Sequence, residues 1–318
     1  REVLYRLVKK SDVFASNFRK KALERLGLDY PVLRQHNPRL IYALATGYGT
    51  RGPDKDRASN DLAAQCLGGI LSQEGSSPPT PIWAGMADQV AAMVLAYGVV
   101  LALFARERTG LGQEVDTSLL GSQILLGAIN VQDYLFSGKV SWQLGRDEPV
   151  SPFWHVYKTK GDRWLSIGFL EEHRYWRDLC RALGLEHLEK DPRFDTNEKR
   201  TSQNKAVLVE ILQQTIAEKS LEEWSSILSK EDFVWAPVRD YSEVVNDPQV
   251  LENEYIVDVK HPNLGNIRMT GVPVHLSETP GKIRTTAPEL GQHTEEVLTE
   301  ICGYSWDDIS RLREAEVI

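Results

Sequence analysis

The sequence predicts an α/β fold, with a parallel α/β layer followed by a smaller α+β domain. Two observations predict it. Short apolar runs alternate with helical patterns through the first third of the chain, as in strand–helix–strand units. Beyond residue 150 the pattern changes to a hairpin followed by several helices. The bulk composition agrees, since 42% hydrophobic and 26% charged residues over 318 positions is ordinary globular usage with enough chain for about two domains.

The elements follow in order. Residues 1–10 read as a helix through Val3, Leu4, Leu7 and Val8, and 12–16 as a short strand. Residues 20–26 form a helical segment stopped by Gly27 at the position where a left-handed residue ends a helix. A short helix over 31–36 and the strand 40–45 are separated by Pro38. Residues 47–53 form a loop, 61–71 a helix, and 73–81 a second loop rich in Gly, Ser and Pro. A helix over about 87–108 closes at Thr109-Gly110. A strand at 113–116 leads to Thr117 or Ser118 as the cap of one long helix to Phe136. Composition shifts over 137–151. A hairpin then pairs 153–159 with 163–168 around Lys160-Gly-Asp162. Helices cover 171–184, 200–218 and 220–230, strands 234–238 and 255–259, and 265–269 pairs with the last of these. A linker at 279–290 precedes helices over 293–303 and 305–315. The resulting domain division is 1–136, 137–270 and a returning segment 271–318.

Cys66, Cys180 and Cys302 are far apart and odd in number, which argues against a disulfide framework and for a reducing, cytoplasmic setting. The net charge of −8 argues against a nucleic-acid partner. Residues 1–60 nevertheless hold 13 Lys and Arg against 6 Asp and Glu. A basic end on an acidic protein suits a small ligand bearing phosphates, and suits an exposed charged helix face equally well. The run 90–105 has no charged residue, but at 16 residues it is shorter than the ~20 a membrane span requires. It therefore predicts a buried helix and no membrane partner. No leader pattern opens the sequence, and its first helix runs straight into a strand, so the chain reads as beginning in mid-fold.

Motifs that carry chemistry are few. Gly47-Tyr-Gly-Thr-Arg-Gly52 matches a dinucleotide fingerprint literally, but no helix opens on its third glycine, so a plain turn is expected. The seven His are scattered without helical pairing, which predicts no metal site. The informative residue is Asp88, which follows Gly85-Met-Ala and opens the most apolar helix. There it meets the positive end of the helix dipole, beside free backbone N–H groups. That suits a carboxylate nucleophile with an oxyanion site, and it equally suits an N-cap. Asp61 and Glu171–Glu172 also sit at helix starts, where capping is the plain reading. The Trp residues, Trp83, Trp154 and Trp235 among them, are either core or the lining of an acyl pocket.

Several segments taken together resemble the class III CoA-transferases, the CaiB/BaiF-like group that includes formyl-CoA transferase, carnitine CoA-transferase and α-methylacyl-CoA racemase. They are Asn17-Phe-Arg19, Ala22-Leu-Glu-Arg-Leu-Gly27, Asn37-Pro-Arg-Leu-Ile41, and Gly47-Tyr-Gly49 with Gly52-Pro53. The helix opening at Asp88 and Arg106-Glu-Arg-Thr-Gly-x-Gly-Gln113 with Val115-Asp-x-Ser-Leu-Leu120 continue the pattern. Gly271-Val-Pro273, Leu276-Ser-x-Thr-Pro280 and Ala287-Pro-x-Leu-Gly-Gln-His-Thr294 complete it. The resemblance runs from about residue 1 to 303 and lacks the strand–helix region with which family members open. It implies a Rossmann-like large domain, a smaller α+β domain, and two chains interlocked as a homodimer. The long helix after Asp116 and the segment near 270–290 would be the crossings between domains.

The resemblance further implies an acyl-CoA:carboxylate CoA-transferase with Asp88 as nucleophile and Asp61 as a nearby acid. The chemistry would pass through an aspartyl anhydride and an aspartyl-CoA thioester. A carboxylate with a reference pKa of ~3.9 needs no general base. Arg25 falls where the family places a CoA-binding arginine, and Arg57 is a second candidate; both would pair with CoA phosphates. The substrates are an acyl-CoA and a carboxylic acid, with CoA thioester as substrate and no permanently bound cofactor. The sequence departs from the family in two places. The racemase branch has a histidine where Asn60 stands, and an amide is no base, although Glu171 resembles an acid of that branch. The segment Leu144-Gly-Arg-Asp-Glu-Pro-Val150 has one glycine where the formyl and oxalyl branch has a glycine-rich loop, which makes those substrates less expected. A racemase-like epimerase and a non-catalytic CoA-binding or assembly protein remain as alternatives.

Overall fold

The structure, a computed structural model, describes residues 1–71, 79–139 and 151–318. Most of the loop expected at 73–81, and the 144–150 segment, lie outside the described residues. The chain divides into two compact units, Arg1–Gln143 with Pro288–Ile318, and Leu144–Ala287. The sequence places the corresponding boundaries at 137 and 271.

The first unit runs α1 (Glu2–Lys10), β1 (Val13–Ser16), α2 (Lys20–Leu26), α3 (Tyr30–His36), β2 (Ile41–Thr46), α4 (Asp61–Leu67), α5 (Met86–Thr109), β3 (Glu114–Ser118), α6 (Leu119–Leu126) and α7 (Ala128–Ser137). The strands form a parallel sheet in the order β1-β2-β3, with Val13 opposite Ile41 and Tyr42 opposite Glu114. This is the parallel layer that the strand–helix alternation predicts. The central strand β2 is buried at Ile41, Tyr42, Ala43 and Leu44 alike, because helices cover both faces of a parallel sheet. Val8, Leu23, Leu28, Leu33 and Leu40 pack with Tyr42 and Leu44 into one core. Gly27 ends α2 in the left-handed conformation, at φ 70°.

The helix expected to be buried is not. Within this chain α5 buries only Met86, Ala87, Ala91, Ala102 and Arg106. Its small residues face the sheet, and at Gly98 an added Cβ would lie 2.8 Å from Val115 Cγ1. Met93, Tyr97, Val100 and Phe104 are about 60% exposed or more, and their spacing puts them on one stripe. Apolarity announced a buried helix, but it does not say whether the cover comes from the same chain. By length and composition α5 is apolar enough to cross a membrane. Arg106 instead ties its far end to the sheet, donating to Asp12 Oδ1 at 2.8 Å and to the Arg39 carbonyl at 3.2 Å. The single long helix expected after Ser118 is two helices that part at Gly127, a residue that weakens a helix interior by about 1 kcal/mol. Ser118 is the cap, accepting from Gly121 N at 2.9 Å.

The second unit comprises β4 (Trp154–Lys158), β5 (Trp164–Gly168), α8 (Glu172–Leu183), α9 (Lys205–Ile216), α10 (Leu221–Leu228), β6 (Trp235–Pro237), α11 (Tyr241–Val244), α12 (Pro248–Glu252), β7 (Ile256–His261) and β8 (Gly265–Thr270). An antiparallel sheet β4-β5-β6 and a hairpin β7-β8 flank the helices. Its core gathers Phe153, Tyr157, Ile167, Trp176, Phe194 and Trp224. Of the Trp residues singled out in the sequence, Trp235 packs partly buried on this core, whereas Trp83 and Trp154 are about half exposed. The chain then returns to the first unit through α13 (Thr294–Glu296) and α14 (Trp306–Glu314), where Leu298, Cys302 and Ile309 pack on Val3 and Leu7 of α1.

Gly112, between α5 and β3, allows the closest backbone approach in this unit. An added Cβ would lie 2.1 Å from the Leu40 carbonyl oxygen. Gly112→Ala is therefore expected to lower stability by about 1–3 kcal/mol, read as a lower urea midpoint with an unchanged slope.

Candidate active site

The parallel sheet fixes where a site can form. All three strands end at one edge, and in such sheets ligands bind beyond the carboxyl ends of the strands. β1 leads there to Asn17-Phe-Arg19, β2 to the 47–60 loop and β3 to the cap of α6. The 47–52 glycines serve this loop rather than a nucleotide fingerprint, because no helix opens after Gly52. Gly47 is pressed against Ser59, whose Cβ would lie 2.2 Å from an added Cβ. Gly47 also accepts from Leu120 N at 3.0 Å. Thr50 Oγ1 donates to Asp116 Oδ2 at 2.5 Å, so the loop is held down onto β3.

Asn60 closes the loop as the N-cap of α4, its Oδ1 accepting from Ala63 N at 2.9 Å. Asp61 is thereby the first residue of α4 and not its cap, which corrects the plain reading of that residue. Its carboxylate reaches instead across to the head of α5. Asp61 Oδ1 accepts from Ala87 N at 2.6 Å and from Asp88 N at 3.3 Å, and Oδ2 accepts from Gln65 Nε2 at 2.9 Å. Burial pushes the Asp61 pKa up, but the backbone N–H groups of Gly85, Ala87 and Asp88, together with Gln65, outweigh it. They hold the carboxyl below its ordinary range. Asp61 and Asp88 thus meet through the Asp88 backbone rather than its side chain.

Asp88 is the third residue of α5. The N-cap is Gly85, left-handed at φ 85°, so Asp88 does not cap this helix. Its side chain is exposed and makes no hydrogen bond or ion pair among the described residues. The expectation of free N–H groups beside it needs correction, because Asp61 takes those of Ala87 and Asp88. Two carboxylates thus share one helix end in opposite states, one fully engaged and one open.

The basic candidates lie on the neighbouring segments. Arg25 is in the last turn of α2, exposed, and its guanidinium has no partner among the described residues. Arg57 lies 3.5 Å from Asp54 and 5.5 Å above the Tyr48 ring. Lys21, one turn before Arg25, pairs with Asp56 at 2.7 Å and so ties α2 to the loop bearing Arg57. Glu171 lies in the other unit, paired with Arg174 at 3.1 Å. Among the described residues no three His, Cys, Asp or Glu side chains stand close enough to hold a metal. Gln65 was missed in the sequence. Its signal was the Asp61–Gln65 spacing, which places an amide and a carboxylate on one helix face.

The family model for CoA-transferase family III matches residues 1–294. An acyl-CoA transferase of Fusarium pseudograminearum (strain CS3096) is 34% identical over 322 residues, which span all of this chain and 70% of the relative. The succinyl-CoA–D-citramalate CoA-transferase of Chloroflexus aurantiacus (strain ATCC 29366 / DSM 635 / J-10-fl) is 31% identical over 98% of this chain and 78% of its own length. The succinyl-CoA:glutarate CoA-transferase of Mus musculus is 31% identical over 96% of this chain and 70% of its own. Among solved structures, a CaiB/BaiF family protein from Brucella suis superposes with a TM-score of 0.82 at 28% identity, over 94% of this chain and 78% of that one.

A depressed pKa makes Asp61 a stabilising anion above the unfolded value of ~3.9, and that contribution is lost as pH falls through the folded value. Asp61→Ala is expected to cost about 1–2 kcal/mol at neutral pH in chemical unfolding. The difference between variant and unsubstituted protein should shrink steadily as pH is lowered below about 4.

Proposed function

The chain belongs to CoA-transferase family III and is an acyl-CoA:carboxylate CoA-transferase, and from that premise we propose that Asp88 carries the acyl group. The observation behind this choice is the unequal state of the two carboxylates. Both Asp61 oxygens already accept hydrogen bonds, whereas the Asp88 side chain is exposed and has no partner among the described residues. A carboxylate saturated with donors is a poor nucleophile, and an open one is available for attack.

In the proposed sequence an Asp88 oxygen attacks the thioester carbonyl and the C–S bond breaks. CoA leaves as thiolate and a mixed anhydride remains. The thiolate attacks the Asp88 carbonyl carbon, releasing the donor acid as its carboxylate and leaving an aspartyl-CoA thioester. The acceptor carboxylate attacks that thioester, giving a new anhydride and free thiolate. The thiolate then attacks the acceptor's acyl carbon, so product acyl-CoA departs and the Asp88 carboxylate is regenerated. No proton moves in any step, so no general base is required. Asn60, occupied as a helix cap, supports transfer over the epimerase alternative, whose chemistry needs a base at that position. Asp61 acts here as a positioning residue that fixes the first turn of α5.

Arg25 and Arg57 are the proposed partners of the CoA phosphates, with Lys21 holding their segments together. A second copy of this chain is the proposed cover for the stripe Met93–Tyr97–Val100–Phe104, since a helix so apolar on its open side needs a partner. The unpaired Cys66, Cys180 and Cys302 support a reducing, cytoplasmic setting.

The decisive test uses succinyl-CoA with glutarate and citramalate, the compounds for which two relatives are named, within a wider acyl-CoA panel. Hydroxylamine trapping followed by peptide mapping should give a hydroxamate at Asp88. Asp88→Asn should lower exchange by about 10³-fold or more while CoA still binds. Label on Asp61 instead would overturn the assignment. Arg25→Ala should raise the KM for acyl-CoA about fivefold or more with little change in kcat, and the effect should weaken with added salt. Met93→Glu should convert a dimer to monomer in sedimentation.

A further inference from the structure

We propose that Gln65 is a positioning residue for the reaction, setting the direction of Asp88 through Asp61 and the segment that leads into α5. The proposal rests on the reading of Asp88 as nucleophile. Gln65 is fully buried, and among the described residues every bond its amide makes goes to that assembly. Nε2 donates to Asp61 Oδ2 at 2.9 Å and to the Trp83 carbonyl at 3.0 Å, while Oε1 accepts from Ile82 N at 3.2 Å.

Only this orientation of the amide works. Turned over, its oxygen would face a carboxylate and a carbonyl, both acceptors, and its nitrogen would face the Ile82 donor. The side chain therefore reads two donors' worth of acceptors on one side and one donor on the other, and no other uncharged side chain of its size does so. Glutamate lacks the donors, and methionine fills the volume with neither function.

The consequence for the site is geometric. Ile82 and Trp83 precede Gly85, the left-handed residue from which α5 starts. Gln65 fixes that approach from one side, and through Asp61 it fixes the N–H groups of Ala87 and Asp88 from the other. The first turn of α5 is thus clamped at two points by one amide. Asp88 has no side-chain partner of its own among the described residues, so its direction depends on this turn. Reaction rates are steep in such placement, with an ångström of error costing on the order of 10²-fold.

The test compares Gln65→Met and Gln65→Glu with the unsubstituted enzyme in steady-state and trapping experiments. Each variant should lower kcat and the rate of Asp88 hydroxamate formation by about 10²-fold, with the KM for acyl-CoA changed less than about threefold. Because one of its two routes runs through Asp61, Gln65→Met added to Asp61→Ala should lower kcat by clearly less than the product of the two separate falls. Variants that fold and label Asp88 at the normal rate would overturn the proposal. So would a fall in kcat matched by an equal rise in KM, full additivity in the double variant, or failure of both single variants to fold, since each marks a purely structural residue. Absence of any Asp88 hydroxamate in the unsubstituted enzyme would instead sink the Asp88 reading itself.

Discussion

The first unit depends on one carboxylate reaching between two helices. A helix begins with N–H groups that have no partner within it, and the Ile82–Gly85 approach to α5 carries no side-chain acceptor for them. Asp61, from α4, supplies the acceptor. At the far end, Arg106 does the complementary work with Asp12 and the Arg39 carbonyl. Between these ends α5 packs on the sheet and on α6, burying Ala91 and Ala102 and half-burying Val94, Leu95, Val99 and Leu103. The end held by Asp61 is the one that carries Asp88.

The charge distribution follows the same geometry. The excess of Lys and Arg in residues 1–60 is spent partly inside the fold. Arg6 bonds the Cys302 carbonyl, Arg39 pairs with Glu107, and Lys21 pairs with Asp56. Of what is left over, Lys20, Arg25, Arg51 and Lys55 lie on α2 and the loop after β2, both of which follow strands of the parallel sheet. Exposed ion pairs add little stability, typically less than about 1 kcal/mol. The value of Lys21–Asp56 lies instead in tying α2, which carries Arg25, to the loop that carries Arg57, the two proposed partners of the CoA phosphates.

How much of this was legible in the sequence varied with the kind of physics involved. Most strands and helices of both units were legible because each carries its own periodicity and punctuation, as Gly27 does for α2 and Ser118 for α6, whereas the short helices α11 and α12 are too brief to show a period. The family was legible because its motifs fall in order along the chain. The break at Gly127 was not, since a single glycine inside a helical pattern is tolerated as often as it divides one. The exposure of α5 was not, because hydrophobicity records that a surface is covered and not by which chain. The Asp61 role was half legible. Its position at a helix start suggested a cap, and it is one, but for a helix that begins 25 residues later in sequence. No local rule reports a contact of that range.

The proposed chemistry of Asp88 also accounts for the scarcity of catalytic motifs in the sequence. Serine, cysteine and metal chemistries need a base, an orienting group or a ligand set, and each leaves a recognisable cluster of residue types. A carboxylate nucleophile arrives ionised and needs none of them. It needs only a fixed direction and an open face, and both are properties of backbone geometry. Gly85 turns the chain, Gln65 holds the approach, and Asp61 occupies the amides that would otherwise draw Asp88 in as a cap. That last effect separates two residues of identical chemistry. Were Asp61 absent, the free N–H groups would favour Asp88 folding back onto its own helix end, as first-turn aspartates do. With them taken, Asp88 is left exposed, with no side-chain partner among the described residues. The proposed nucleophile is thus made available by its neighbour's satisfaction, and the site is built from what surrounds the reactive group more than from the group itself.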